Sequence, residues 1–386
     1  MIPEGLPYWR LSAFYFFYFG LLGAIVPFWG LYLQSLGFSA LQIGYLGAIL
    51  MGTKIVAPNL WGWLGDRLGQ RLRILQVGCL LAIICFLIIL FKHSFAWVAL
   101  SVALFSFFWN AVLPQFEVVT LAHLGNSPQF YSRIRVWGSI GFVLVVLGLG
   151  LFFDVVDIRY LPWVMLFMLC LIWFSSLSVS EKPFTVGHGK HQPLWQTICE
   201  PHVLSFLVCV FLLQVSHGSY YTFYSVYLEA LSYSRSTIGV LWALGVVAEV
   251  LVFLVMHRVM HRYSLRQILL FSLSMTVVRW WLIGCYADSA AVLIFAQGLH
   301  AFSFGCCHAV AIEFVRRHFH GEIQGQGQAL YTAASFGAGG AVGAFISGLV
   351  WALSPVLSFA LSALFAALAL LVVWLGLRGD EFESKA

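Results

Sequence analysis

Charge is what this sequence has least of. Only 9% of its 386 residues are Asp, Glu, Lys or Arg, against roughly 25% in an ordinary soluble domain. With 61% of the chain apolar, a water-soluble globule is excluded. No window is long and polar enough to fold as a separate aqueous domain. No G-x-x-x-x-G-K-[ST] loop is present to cradle ATP phosphates, which excludes an ATP-driven pump on this one chain. The eight cysteines stand singly or as the neighbours Cys306 and Cys307, nearly all in apolar runs, with no C-x-x-C pair. They read as small packing residues and not as metal ligands or disulfide partners. No Asn-x-Ser/Thr acceptor exists, because Asn126 and Ser127 are followed by Pro128, and this favours a bacterial inner membrane.

Apolar runs are what the sequence has in excess. A membrane span takes about 20 apolar residues to cross some 30 Å of hydrocarbon. Runs of that kind fall near 10–33, 41–65, 72–91, 95–123, 133–153, 160–179, 202–228, 237–257, 266–286, 289–315, 325–350 and 354–377. The first continues to full spanning length without a small-residue cleavage site and is read as a span, not a cleaved leader. The one long polar connection, Ser180 to Pro201, holds Pro183, Gly187, Gly189 and Pro193, the composition of a flexible linker. The expected organisation is an N-terminal six-helix bundle over 1–180, a cytoplasmic linker over 181–201 and a C-terminal six-helix bundle over 202–386.

The cations support that topology, since Lys and Arg collect on the cytoplasmic side of a membrane. With both termini inside, fourteen of the 20 lie on that side, and only Lys92, Arg159 and Arg235 lie opposite. The remaining Lys54, Arg135 and Arg279 fall within spans. The formal charge of +5 is therefore a topological signature and not a nucleic-acid footprint.

An internal repeat appears when the second half is slid back by 195 positions. Phe28-Trp29-Gly30-Leu31-Tyr32-Leu33 then faces Phe223-Tyr224-Ser225-Val226-Tyr227-Leu228, and Ser39, Gly44, Arg67 and Arg71 meet Ser234, Gly239, Arg262 and Arg266. The same offset superposes Lys54 on Glu249. Periods that halve a chain are expected of transporters. An intramembrane enzyme, using His and Glu at a lipid face, has no use for such a repeat.

A charged side chain at the bilayer centre costs at least about 2.5 to 3.5 kcal/mol, so each needs a partner or a wet cavity. Five qualify: Lys54, Glu117, Arg135, Glu249 and Arg279. Three cations against two carboxylates leave one positive charge over, which a monoanionic substrate would neutralise and a neutral sugar would not. Glu313, one turn before Arg316 and Arg317, reads as a helix-end pair. Histidines 217, 300 and 308 lie in spans and can titrate near neutral pH.

The loop after the second span, Gly62-Trp63-Leu64-Gly65-Asp66-Arg67-Leu68-Gly69-Gln70-Arg71, resembles the G-x-L-x-D-R-x-G-R-R/K signature of the major facilitator superfamily. The resemblance implies an all-α membrane protein of twelve helices, two six-helix halves related by pseudo-two-fold symmetry, and no cofactor. It also implies a gating role for Gly62, Asp66, Arg67, Gly69 and Arg71. Gln70 departs from the pattern. The stretch Tyr131 to Phe142, with Arg135, Gly138 and Gly141, resembles the fifth helix of the lactose permease group. There an arginine followed by a Gly-x-x-Gly turn pairs with a glutamate eighteen residues earlier, here Glu117. Glu249, Arg279 and His300 match functional positions of that group on its eighth, ninth and tenth helices. The group's proton-coupling glutamate, however, reads Ser303, and a nearby lysine reads Gln297.

A fuller likeness, to the phenylpropionate permease branch of the superfamily, rests on Pro27-Phe28-Trp29, on His217 with Tyr220-Tyr221, on the run Trp242 to Val250, and on Val278-Arg279-Trp280. Its implication is proton-coupled symport of a small organic carboxylate, aromatic acids included. Lys54, Arg135, Glu249, Arg279 and Tyr221 are the substrate-binding candidates, and Glu117, Glu249 and His300 the proton-coupling ones. The expected partners are a small-molecule anion, protons and the lipid bilayer, with no nucleic acid, in a monomeric chain. A proton-coupled sugar or nucleoside symporter is the alternative within transport.

Overall fold

The computed structural model describes residues 5–125, 127–182, 194–320 and 323–378. The linker residues Pro183, Gly187, Gly189 and Pro193, together with Asn126 and Lys385, lie outside the described residues. Twelve helices among these are long and apolar enough to cross a membrane: α1 (Tyr8–Ser35), α2 (Ala40–Leu68), α3 (Arg71–Phe91), α4 (Phe95–Leu124), α5 (Tyr131–Val155), α6 (Ile158–Leu177), α7 (Pro201–Ala230), α8 (Arg235–Arg262), α9 (Leu265–Tyr286), α10 (Ala290–His318), α11 (Ile323–Trp351) and α12 (Pro355–Gly376). No strand occurs among the described residues. Helices suit the hydrocarbon because they satisfy their own backbone polar groups where no water can.

The repeat is visible in the helix bounds. Shifting by 195 carries the start of α2 at Ala40 to the start of α8 at Arg235, the end of α3 at Phe91 to the end of α9 at Tyr286, and the start of α4 at Phe95 to the start of α10 at Ala290. The caps recur too. Ser39 accepts from the Gln42 amide and closes a capping box at the head of α2, and Ser234 accepts from the Thr237 amide at 3.2 Å at the head of α8. Such side-chain acceptors serve the first amides of a helix, which have no partner within it.

The described residues form two compact units, one of those up to 182 with 234–240 and one of 194–233 with those from 241 to 378. Within the first unit Asp154 at the end of α5 accepts from the Arg235 amide at 2.8 Å.

In the first unit α1 packs closely on α5. A Cβ at Gly141 would run into the carbonyl of Phe16, so only glycine allows this approach. Arg135, Gly138 and Gly141 all lie inside continuous helix. The Gly-x-x-Gly turn expected from the resemblance is therefore a helix-packing groove. Aromatic rings fill the space beside it: Phe14 stacks on Phe116 of α4 at 3.6 Å, and Tyr18 on Trp109 at 5.1 Å.

In the second unit three spans are interrupted. α7 breaks at His217 into Pro201–Ser216 and Gly218–Ala230. α10 carries a π-helical segment at Ala301–Cys306 and α11 another at Ala333–Gly339. Just past the first break the Ser219 hydroxyl sits 3.1 Å from Ser347 of α11 and 2.8 and 3.0 Å from Ser358 and Ser362 of α12. This buried polar knot joins three helices where lipid offers no hydrophobic drive to hold them.

Candidate functional site

The motif loop folds as a tight turn at the end of α2. Gly69 caps α2 with φ +64° and donates its amide to the carbonyl of Gly65. That left-handed turn brings Arg71 back to pair with Asp66. Arg71 also donates to Gln115 of α4 at 2.9 Å, and Arg67 lies 5.4 Å from the centre of the Trp63 ring. The carboxylate that accepts from an amide of α3's first turn is Glu181, at 2.9 Å from the Leu72 nitrogen, where the helix dipole favours negative charge. Glu181 carries no motif signal, being over a hundred residues away in the chain.

The intramembrane charges of the first unit do not form the expected ion pair. Glu117 accepts from the Tyr131 hydroxyl at 3.3 Å. The Arg135 guanidinium lies 3.8 Å from the centre of the Phe19 ring and 5.7 Å from that of Tyr15. Cation–π contacts thus replace a direct carboxylate contact at Arg135. Lys54 is half-buried on α2, beside a network in which Asn110 donates to Thr53 at 2.8 Å and Thr53 to Ser106 at 3.0 Å. No hydrogen bond or ion pair of Lys54 occurs among the described residues.

The second unit holds Arg279, Glu249, His300 and Tyr221, with the Tyr220 ring packed against both Arg279 and His300. This arginine is fully buried. It donates to the Ala296 carbonyl at 3.1 Å, the Ser303 hydroxyl at 2.8 Å and the Gln297 side-chain oxygen at 3.3 Å. Its guanidinium lies over Tyr220 at 4.3 Å and Trp280 at 4.6 Å. Gln297 is held in turn by Tyr220, which donates to it at 2.9 Å, and by Tyr224, to which it donates at 2.6 Å. Among the described residues every direct partner of Arg279 is neutral. Ser303 and Gln297, the two positions that depart from the lactose permease pattern, are its two side-chain acceptors.

Glu249 approaches His300 at 3.7 Å. His300 is buried, and its Nδ1 finds no hydrogen-bond partner among the described residues. Tyr221 is half-buried and stacks on His217 with ring centres 5.6 Å apart. Glu313 pairs with Arg316 at 2.7 Å and Arg317 at 2.8 Å, as a helix-end cluster should.

A small cavity of about 20 Å³ lies where the three interrupted spans meet, lined among others by Gln214, His217, Ser303, Phe304, His308 and Tyr331. Ser303 belongs both to this wall and to the Arg279 cage. Broken helices free backbone groups and mark binding sites in transporters, and π-helical segments recur at functional sites.

Twelve apolar spans with buried charges and interrupted helices define a multi-pass membrane protein that carries a small molecule across a bilayer. The chain matches the MFS_1 like family over residues 8–361 and belongs to that family. It is a secondary transporter and not an enzyme. It is 30% identical over 354 residues to a probable 3-phenylpropionic acid transporter of Escherichia coli K12, a match covering 88% of this chain and 90% of the relative. It is 23% identical to a maltose permease of Geobacillus stearothermophilus, over 84% of this chain and 83% of that one. Among solved structures it superposes on the nucleoside transporter NupG with a TM-score of 0.82 at 16% identity, over 96% of this chain and 98% of that one, a likeness of fold.

Proposed function

We propose that this chain is a proton-coupled symporter of small organic carboxylates, aromatic acids included, in a bacterial inner membrane. The observation that carries the reading is Arg279, a fully buried cation whose direct partners are all neutral. A guanidinium in that setting gains most from an anion that arrives with the substrate, because low dielectric strengthens the attraction. Arg135 and Lys54, which make no ion pair among the described residues, are further sites for a carboxylate. The E. coli relative named as a probable 3-phenylpropionic acid transporter supports the same class of substrate.

Glu249 and His300, 3.7 Å apart, form the proton-carrying pair in this proposal. Glu117, with Tyr131 as its donor, is the second carboxylate able to load and release a proton. Tyr221 offers an aromatic face to the substrate. The loop of Gly62, Asp66, Arg67, Gly69 and Arg71 acts as the gate latch. The working organisation is a bundle of residues 1–180, a cytoplasmic linker of 181–201 and a bundle of 202–386, monomeric, with both termini in the cytoplasm. A sugar or nucleoside substrate is the second reading, favoured by the maltose permease relative. Uptake by proteoliposomes under an inward proton gradient, with carboxylates, sugars and nucleosides offered in turn, separates the two.

A further inference from the structure

His217 sits at the break in α7 with 1% of its surface exposed. The break shows in its backbone, since the His217 amide donates to Gln214 and not to Leu213 one full turn back. The ring takes up the released carbonyl: Nδ1 lies 2.8 Å from the Leu213 oxygen. A carbonyl oxygen only accepts, so in the neutral ring the proton is on Nδ1 and Nε2 carries a bare lone pair. That Nε2 is buried and has no hydrogen-bond partner among the described residues. Trp280, edge-on with ring centres 4.9 Å apart, and Tyr221, stacked at 5.6 Å, hold the imidazole in place.

Ser303 of α10, fully buried, has the opposite need. Its oxygen accepts from the Arg279 guanidinium at 2.8 Å, which leaves its own O–H to be donated. Among the described residues its acceptor is the His300 carbonyl at 3.5 Å, beyond the roughly 2.5 to 3.0 Å usual for an O–H···O bond. His217 and Ser303 both line the small cavity where the interrupted spans meet, and so does the buried Gln214, whose side chain can donate and accept. The cavity measures about 20 Å³. A water needs at least about 10 to 15 Å³ of such space and roughly two to four polar partners. The cavity therefore takes one water and no larger guest. Buried polar groups in native proteins are nearly always satisfied, and a single water between a lone pair and a hydroxyl satisfies both.

We infer that one ordered water occupies this cavity, accepting from the Ser303 hydroxyl and donating to His217 Nε2, with Gln214 as its third partner. It closes a chain in which Arg279 donates to Ser303, Ser303 to the water, the water to Nε2, and Nδ1 to the Leu213 carbonyl. A charged donor at the head strengthens such a chain, and each member polarises the next. His217 is thus a positioning residue: through the water it keeps Ser303 turned as an acceptor toward Arg279 and joins the break in α7 to α10. The site does not depend on what the chain carries, so failure of carboxylate symport in the uptake experiment would leave it standing.

Two measurements on the full chain test it. In bilayers, solid-state NMR of protein with histidine labelled in the heavy nitrogen isotope, His217 being assigned through its sequence neighbours, should show magnetisation passing from water protons to Nε2. A dry Nε2 would overturn the inference, and this arm needs no variant to fold. In detergent, thermal unfolding compares His217→Phe, Ser303→Ala and the double variant. Loss of the Leu213 bond is common to both proteins that carry His217→Phe and cancels in the comparison. If one water joins the two side chains, the drop in melting temperature of the double variant should fall clearly short of the sum of the two single drops, because groups that share a partner are not additive. Single drops that simply sum would overturn the inference as well.

Discussion

Arg279 donates to the hydroxyl of Ser303 at 2.8 Å, so a fully buried guanidinium on α9 is held by a neutral acceptor on α10. The lactose permease group, which the chain resembles here, carries a glutamate at that position. In the proposed function the missing carboxylate leaves that positive charge to be met by the substrate's own.

Ser303→Glu should supply the absent carboxylate and compete with the substrate for Arg279. The KM for organic acids should rise at least about tenfold, while Ser303→Ala, which removes one hydrogen bond worth about 0.5 to 2 kcal/mol inside a membrane, should change it several-fold less. Uptake kinetics of the two variants side by side decide the matter. A KM unmoved by Ser303→Glu would mean that substrate does not use Arg279.

Arg279→Lys keeps the charge and loses the planar fork that reaches Ala296, Gln297 and Ser303 together. A lysine cannot span those three acceptors, so kcat/KM should fall by about tenfold or more. Lysine restoring full transport would show that charge alone matters at this position.

Glu249→Gln should uncouple uptake from the proton gradient, and Glu117→Gln should weaken it, because an amide cannot load and release a proton. The readout is uptake with and without an imposed inward gradient, with counterflow exchange as the control for intact binding. If both variants kept full gradient-driven uptake, carboxylate coupling in the spans would be ruled out.

Gly141→Ala should separate α1 from α5, since the new methyl meets the Phe16 carbonyl. Overpacking of this kind costs about 1 to 3 kcal/mol, seen as a lower melting temperature in detergent. Gly69→Ala should cost about 1 to 2 kcal/mol, the penalty for an L-residue in the left-handed turn. Asp66→Asn should move stability by less than about 1 kcal/mol, because Asp66 is 54% exposed and screened by solvent.

The fold was legible because its signals are long: spans of about 20 apolar residues, and an offset of 195 that later governs helix starts such as Ala40 and Arg235. The helix-end trio of Glu313, Arg316 and Arg317 was equally readable, since residues three and four apart share a helix face. The interruptions were not. His217 breaks α7 without proline, and the π-helical segments of α10 and α11 sit in apolar sequence that reads as plain helix. The site was half legible. Sequence singles out Arg279, Glu249 and His300 as candidates, yet reads Ser303 and Gln297 only as losses, because nothing local shows that both turn toward Arg279 from another helix. The partnering of Arg135 by Phe19 escaped for a related reason: an arginine near a glutamate in a matched motif suggests an ion pair, and aromatic faces carry no such signal at a distance of over a hundred residues.

The most direct measurement is charge movement and uptake in proteoliposomes of the unmodified chain under an inward proton gradient, with aromatic acids, aliphatic acids, sugars and nucleosides offered in turn. Acid-linked uptake is expected with carboxylates alone, abolished when the gradient is collapsed. A response to sugars or nucleosides with none to carboxylates would contradict it.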